Sequence, residues 1–161
     1  RVEKKYLAVV RGYPLESGMI VHPLKEKLDK ISDKKAQEDK EPQEAITQYR
    51  TLANIELNAT VGRYDTVRYS LVELSPKTGR KHQLRRHMKH INHHILGDTK
   101  YGRGEHNIFI REVYGVHRLL LHAHQLRFMH PYTDKEISLN AAVDATFVEL
   151  FKTFQWRNTF S

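Results

Sequence analysis

Lys81, Arg85 and Lys89 recur at every fourth position of the stretch that runs from Pro76 to Ile91. If that stretch is helical, the three cations share one face. Like charges four residues apart repel, by roughly a few tenths of a kcal/mol per pair. An anion laid across the row relieves the repulsion: a phosphate, or a buried carboxylate. The chemistry on offer is the binding and orientation of anions, although an ordinary solvated basic face has the same pattern. His87, His90, His93 and His94 cluster closely enough to raise zinc. Against it, the chain has no cysteine, and the HExxH arrangement that would supply a general base is missing. Helix-end caps and polar groups facing a ligand are the better reading, and no metal is expected. No serine sits in a nucleophile-elbow glycine pattern, which argues against acyl transfer.

Leu84, Met88 and Ile91 occupy a different face of the same stretch at helical spacing, so the basic row must ride on a helix packed against a sheet. Thr78 is the expected N-cap, with the helix running from about Arg80 to Ile91. Strands are expected over residues 5–10, 19–21, 45–57 and 66–74, with turns at 11–14 and 62–65 and a stop at Pro76. Residues 119–128 and 136–139 should form a hairpin around 131–134. The apolar phase of its first arm slips between Ala123 and Leu126, which predicts a bulge or burial on both faces. His122 and His124 lie in that arm and read as hydrogen-bonded core histidines. Residues 145–154 read as an amphipathic helix with Phe147, Leu150, Phe151 and Phe154 on one stripe. Residues 22–43 are rich in Lys, Glu and Asp and predict a surface excursion, with one charged helical turn around 24–31. Strands that follow one another with few helices between them predict an α/β (α+β) domain on a mainly antiparallel mixed sheet.

A chain of 161 residues, 39% of them hydrophobic, can bury one real core. No apolar run is long enough to cross a bilayer, no secretory signal opens the chain, and disulfides are excluded. A cytoplasmic protein with no membrane partner is expected. The net charge of +8, with 11 histidines in reserve, points to a polyanionic partner. The chain opens on Arg1 and enters a strand at once, which predicts a piece of a longer protein.

Thr78-Gly79-Arg80-Lys81-His82-Gln83-Leu84-Arg85-Arg86-His87-Met88 resembles the T-G-R-x-H-Q-[IL]-R-x-H-[LM] signature of the RluA-like pseudouridine synthases. Three further blocks stand in that family's order. The segment from Lys4 to Gly12 is similar to its K-x-Y-x-A-x-V-x-G strand, and that from Ile95 to Gly102 to I-x-G-D-x-x-Y-G. The segment from Arg118 to Ala123 matches R-x-x-L-H-A, and His130-Pro131 resembles the turn that follows. Two details, the lysine-rich excursion and the doubled Arg85-Arg86, are closest to a member of the family that acts on tRNA. His94 departs from the family, which usually carries proline there.

The resemblance implies a pseudouridine synthase-like fold and an isomerase that detaches uracil from its ribose and rejoins it through carbon, without cofactor. The base must leave the RNA stack for this. Tyr6 matches the family's tyrosine beside the flipped base, where it stacks on uracil and handles the proton at C5. Arg85 matches the arginine that holds the nucleophilic aspartate ionised. Leu84 would pack the pocket wall, and Arg80, Lys81, His82, Gln83, Arg86 and Lys89 would face RNA. The nucleophile itself belongs to an R-L-D-x-x-T-S-G motif N-terminal to the tyrosine strand, and that motif is absent from this sequence. Asp65, in Gly62-Arg63-Tyr64-Asp65-Thr66, mimics it only superficially, and Asp98 reads as a turn residue.

Residues 1–161 are thus expected to be the C-terminal part of one synthase catalytic domain, inactive alone, working on structured RNA and on tRNA ahead of ribosomal RNA. No obligate protein partner is evident. The competing reading is a non-catalytic RNA-binding module that keeps the fold. A basic protein-interaction domain would leave the ordered blocks unexplained.

Overall fold

The apolar run near the start of the chain becomes β1 (Val2–Arg11), buried on both faces over much of its second half. In the computed structural model, which describes residues 2–26 and 41–160, β1 lies inside a six-stranded sheet. β2 (Ser17–Val21), β3 (Ile46–Leu57), β4 (Val67–Pro76), β5 (Leu121–Met129) and β6 (Glu136–Asn140) complete it in the order β2-β3-β4-β1-β5-β6. Every pairing between these strands is antiparallel. The α+β architecture expected from the sequence is the one observed.

Successive side chains of a strand point to opposite faces, and here both faces of the central strands are covered. Leu7 and Val9 of β1 and Tyr69 and Leu71 of β4 pack with Ile110 of α2 (Gly104–Tyr114) and with Phe147 and Phe151 of α3 (Ala145–Phe154). Ala8 and Val10 of β1 and Val72 and Leu74 of β4 pack with Leu84 and Met88 of α1 (Gln83–His90) on the other side. The apolar stripe of α1 therefore faces the sheet as its spacing predicts, with Ile91 partly buried beside it. The stripe of Phe147, Leu150, Phe151 and Phe154 is buried throughout.

Three expectations need correction. Helix α1 begins at Gln83, later than expected, and its N-cap is His82 in the left-handed region at φ 53°, with no side-chain cap. Thr78 is instead a cross-tie: its hydroxyl accepts from the Ile46 amide at 3.0 Å and donates to Gln83 Oε1 at 2.6 Å. The excursion does not start as a helical turn, because Leu24 is buried and forms a β-bridge with Gln43. The rest of the helical turn expected there lies outside the described residues. Helix α2 was not anticipated: among its residues only His106 and Ile110 are buried, so its apolar signal is thin.

The phase slip in β5 has a local cause. Lys5 faces Gln125 while Tyr6 faces Ala123, so His124 is the extra residue of a bulge. His124 turns to Glu73, with Nε2 3.3 Å from Oε2, and His122 Nε2 lies 3.1 Å from the Ala141 carbonyl. Both are hydrogen-bonded, as read from the sequence, but they are half-buried and do not lie in the core.

His94 and His106 are buried together, their ring centroids 5.7 Å apart. His106 Nδ1 shares a 2.8 Å hydrogen bond with the Tyr69 hydroxyl, whereas His94 Nε2 is buried with no partner among the described residues. Burial, reinforced by nearby cationic groups, pushes both down to about 4. The unfolded chain therefore binds more protons than the folded one between the ordinary value near 6.5 and 4. Their contribution is fully present above about pH 6.5 and is lost as the pH falls toward 4. Urea unfolding should show stability dropping by roughly 1 kcal/mol per pH unit per histidine across this window. Replacing His94 by Leu should flatten the slope; an unchanged slope would show that this ring does not carry it.

Candidate active site

The bulge between Lys5 and Tyr6 sits beside the tyrosine expected at the chemistry. Bulges re-aim side chains and recur next to active sites. Tyr6 pairs with Leu74 on one side and Ala123 on the other, and its half-buried ring packs on the α1 face of the sheet. There it borders a cavity of about 600 Å³. The walls are Tyr6 and Lys4 of β1, the turn Thr78-Gly79-Arg80, Leu84 and Arg85 of α1, and Leu119 and Leu121. Such a volume lies within the range of roughly 300–1,000 Å³ typical of ligand sites. The two residues expected at the chemistry, Tyr6 and Arg85, thus open onto one space, and Leu84 lies in its wall.

Arg85 is held from behind. Its Nε donates to Asp98 Oδ2 and its Nη2 to Asp98 Oδ1, both at 2.8 Å. The geometry is the bidentate fork that guanidinium makes with carboxylate and lysine does not. Asp98 Oδ1 also accepts from the amides of Lys100 and Tyr101, at 3.0 and 2.9 Å. Burial alone would push the Asp98 carboxyl up, but the Arg85 hydrogen bonds and these two amides outweigh it and hold it below the ordinary carboxylate range. The same hydrogen bonding raises Arg85. The Tyr101 ring lies under the guanidinium, 5.0 Å from centroid to Cζ, and its hydroxyl is 2.9 Å from His82 Nδ1. With Nε and Nη2 tied to Asp98, Nη1 has no hydrogen-bond partner among the described residues. No carboxylate lines the cavity among the described residues.

The loop that carries Asp98 is shaped by close approaches. Gly97 has φ +83°, and a Cβ there would overlap the Arg118 carbonyl. A Cβ on Gly102 would overlap the Asp98 carbonyl. Arg118 in turn donates to the carbonyls of Leu119 and Leu121 at 3.0 and 3.1 Å and pairs with Asp144, the N-cap of α3. Asp98 is therefore more than the turn residue its sequence context suggests. The signal that could have found it was the appeal of the cation row for a buried carboxylate, which Arg85 satisfies.

The remaining expected RNA-facing residues divide. Arg80 and His82 border the cavity, with Arg80 Nε donating to the Glu44 carbonyl at 2.8 Å. Gln83 also lines the cavity, but it is buried, and its side-chain amide bonds Thr78, the Arg80 amide, Ile46 and Thr47, which ties the loop to β3. Arg86 points away from the cavity, its guanidinium donating to the carbonyls of Lys81 and Lys25. Lys89 is exposed and, like Lys81, does not line the cavity. The clustered histidines go separate ways. His87 is buried between Thr47 Oγ1 and the His22 carbonyl, His90 stacks on His22 at 3.6 Å, and His93 meets the Arg11 carbonyl at 2.8 Å. Among the described residues no group of acidic and histidine side chains could hold a metal ion. None of the described helices is long and apolar enough to cross a membrane.

A sheet covered on both faces, with a tyrosine and a carboxylate-clamped arginine on one cavity, is set on a fold shared with known proteins. Residues 1–90 match the family model for RNA pseudouridylate synthase, and the chain belongs to that family. It is 51% identical over 156 residues to tRNA pseudouridine synthase C of Vibrio parahaemolyticus, covering 97% of this chain and 63% of that protein. The synthase C of Pasteurella multocida is 54% identical, covering 97% and 64%. The chain thus spans a little under two thirds of the length of these curated relatives. Among solved structures, Human RNA Pseudouridylate Synthase Domain Containing 1 aligns with a TM-score of 0.64 at 26% identity, over 98% of this chain and 67% of that one. Domain Containing 4 aligns at 0.65 and 25%, over 96% and 62%.

The Asp98 pair gives a test of the scaffold. Asp98 is 1% exposed and the Arg85 side chain 19%, so the fully buried cost of breaking a pair must be discounted somewhat for solvent. Asp98→Asn should lower stability by about 2–3 kcal/mol at pH 7 in urea unfolding. A depressed carboxylate contributes above its unfolded value near 4 and loses that contribution as the pH falls through the folded one. The variant should therefore lose less stability than the wild type when the pH drops below about 4; equal acid sensitivity would remove the pair from this role.

Proposed function

We propose that this chain forms the tyrosine–arginine half of the active site of a pseudouridine synthase acting on structured RNA, with tRNA as the substrate class and the cytoplasm as its place of work. The observation that carries the reading is that Tyr6 and Arg85 border one cavity. Family membership and the names of the similar synthases support it.

The reaction requires the target uridine to leave its stack, and a base so extruded needs a flat apolar surface. Tyr6 offers its ring, with Leu84, Leu119 and Leu121 as further apolar wall. Arg85 Nη1 holds the nucleophilic carboxylate ionised while it attacks the sugar or removes a sugar proton. Because Asp98 fixes the other edge of the guanidinium, this donor is pre-aimed and does not have to be ordered at the moment of reaction. The uracil then turns and bonds through C5, and the Tyr6 hydroxyl, or a water that it orients, handles the proton released there. Arg80 and Lys4 at the rim suit the flanking phosphates.

No carboxylate lines the cavity among the described residues, and the R-L-D-x-x-T-S-G motif that carries the family's nucleophile is absent from the sequence; the reading therefore takes these residues as the C-terminal part of a single catalytic domain whose nucleophile lies in a preceding segment. The same observation favours a second reading, an RNA-binding module that keeps the fold without chemistry. Release of tritium from C5-labelled uridine in a tRNA transcript separates them. The longer protein should turn over and this chain alone should not; a longer protein that binds the transcript without releasing tritium would establish the binding module. In the longer protein, Arg85→Lys should lower turnover at least about a hundredfold, as loss of a preorganised donor does, while changing RNA affinity little. Equal losses in both would assign Arg85 to phosphate binding.

A further inference from the structure

A second hollow, of about 330 Å³, lies at the other end of β1 and is bordered by Arg11, Tyr13, Tyr64, Arg68, Asn92 and His93 among others. Arg11 is five residues along the strand from Tyr6, or roughly 17 Å at about 3.3 Å per residue. None of these side chains touches the cavity of the proposed reaction.

Its construction is specific. The Arg68 guanidinium stands 4.9 Å from the centroid of the Tyr13 ring, and that of Arg63 stands 5.3 Å from the centroid of Tyr64. Arg63 Nη2 also donates to the Tyr64 hydroxyl at 3.2 Å. Both rings face solvent, Tyr13 at 38% and Tyr64 at 50% exposure. Gly12 lets the chain turn tightly here at φ +82°, against His93. No carboxylate borders the hollow, and neither Arg11 nor Arg63 is paired with an acid among the described residues. Arg68 has only the exposed Glu56, at 3.5 Å. The Tyr64 phenol is held below its ordinary value by the hydrogen bond and charge of Arg63, with Arg11 and Arg103 adding to the effect, so the local potential is positive.

Guanidinium groups laid on exposed tyrosine rings are what unpaired nucleotides require. The rings offer stacking faces to bases of any sequence, and the arginines reach the phosphates between them. An acidic protein surface would use the cations and gain little from the rings. We propose that this hollow is a second RNA-binding surface, which takes an unpaired strand by stacking on Tyr13 and Tyr64 and by phosphate contacts from Arg11, Arg63 and Arg68. It rests on the RNA reading above and adds a contact remote from the reacting uridine.

The test is fluorescence anisotropy with this chain and two labelled probes, an unstructured oligouridylate of about 12 nucleotides and a folded tRNA transcript. Tyr64→Ala should weaken oligouridylate binding at least about fivefold, the loss of one stacked base. Arg11→Gln combined with Arg63→Gln should make the salt dependence shallower by a slope of about 1.4. Arg68→Gln, at an exposed site, serves in their place if that pair misfolds. Lys135→Gln, an exposed cation on the β5–β6 turn, should change neither. Patch variants that bind oligouridylate like the wild type would overturn the second surface and leave the RNA reading standing. Displacement of the oligonucleotide by polyglutamate of equal charge, undiminished by Tyr64→Ala, would assign the hollow to acidic proteins and overturn it too. A wild-type chain that binds neither probe would overturn both.

Discussion

The two-point clamp between Arg85 and Asp98 is the interaction on which the rest of the site depends. A buried ion pair stabilises a protein only when its geometry is good and its remaining lone pairs are satisfied, and removing one partner is far costlier than never having had the pair. Both conditions hold here. The carboxylate takes two guanidinium nitrogens and two backbone amides, and the arginine lies on the Tyr101 ring. The clamp fixes the direction of a long side chain that would otherwise sample many rotamers, a large entropic term for arginine. The residue so fixed lines the same cavity as Tyr6.

Around the clamp, distant parts of the chain meet because the sheet brings them together. Asp98 follows the short bridge that ties Ile95 to Val10 of β1. Arg85 lies on a helix that Leu84 and Met88 anchor to the same strand and its neighbour. Tyr6 is turned by the bulge where β1 meets β5. The glycines of the Asp98 loop are demanded by carbonyl oxygens pressed against them, Arg118 against Gly97 and Asp98 against Gly102. Three of the four ordered sequence blocks thus line one volume, and the fourth, from Ile95 to Gly102, supports it through the Asp98 clamp on Arg85.

Much of this was readable in the chain. The period of Leu84, Met88 and Ile91 gave the packed face of α1, the β5 phase slip announced the bulge, and the stripe of phenylalanines marked α3 with its bounds. What escaped had physical causes. Helix α2 has few buried apolar residues, so its period is faint. Thr78 has an N-cap's composition, yet its hydroxyl serves β3 and Gln83, and the helix starts from a left-handed His82. The ties of Gln83 to Ile46 and Thr47 and of Arg86 to the Lys25 carbonyl join residues far apart in sequence, so no local pattern announces them. Charge and residue type reveal what a side chain is capable of; only the fold reveals which partner reaches it first. Asp98 shows the same point from the other side, since its tie to Arg85 spans 13 residues and no local pattern encodes it.

The most direct measurement is a crystal structure of the proposed full catalytic domain, containing these residues, in complex with a tRNA transcript. The account predicts an extruded uracil lying against the Tyr6 ring, with a carboxylate from outside residues 1–161 within hydrogen-bond distance of Arg85 Nη1 and the Asp98 clamp intact. A target base still stacked in the RNA, or one extruded into a different part of the molecule, would contradict it.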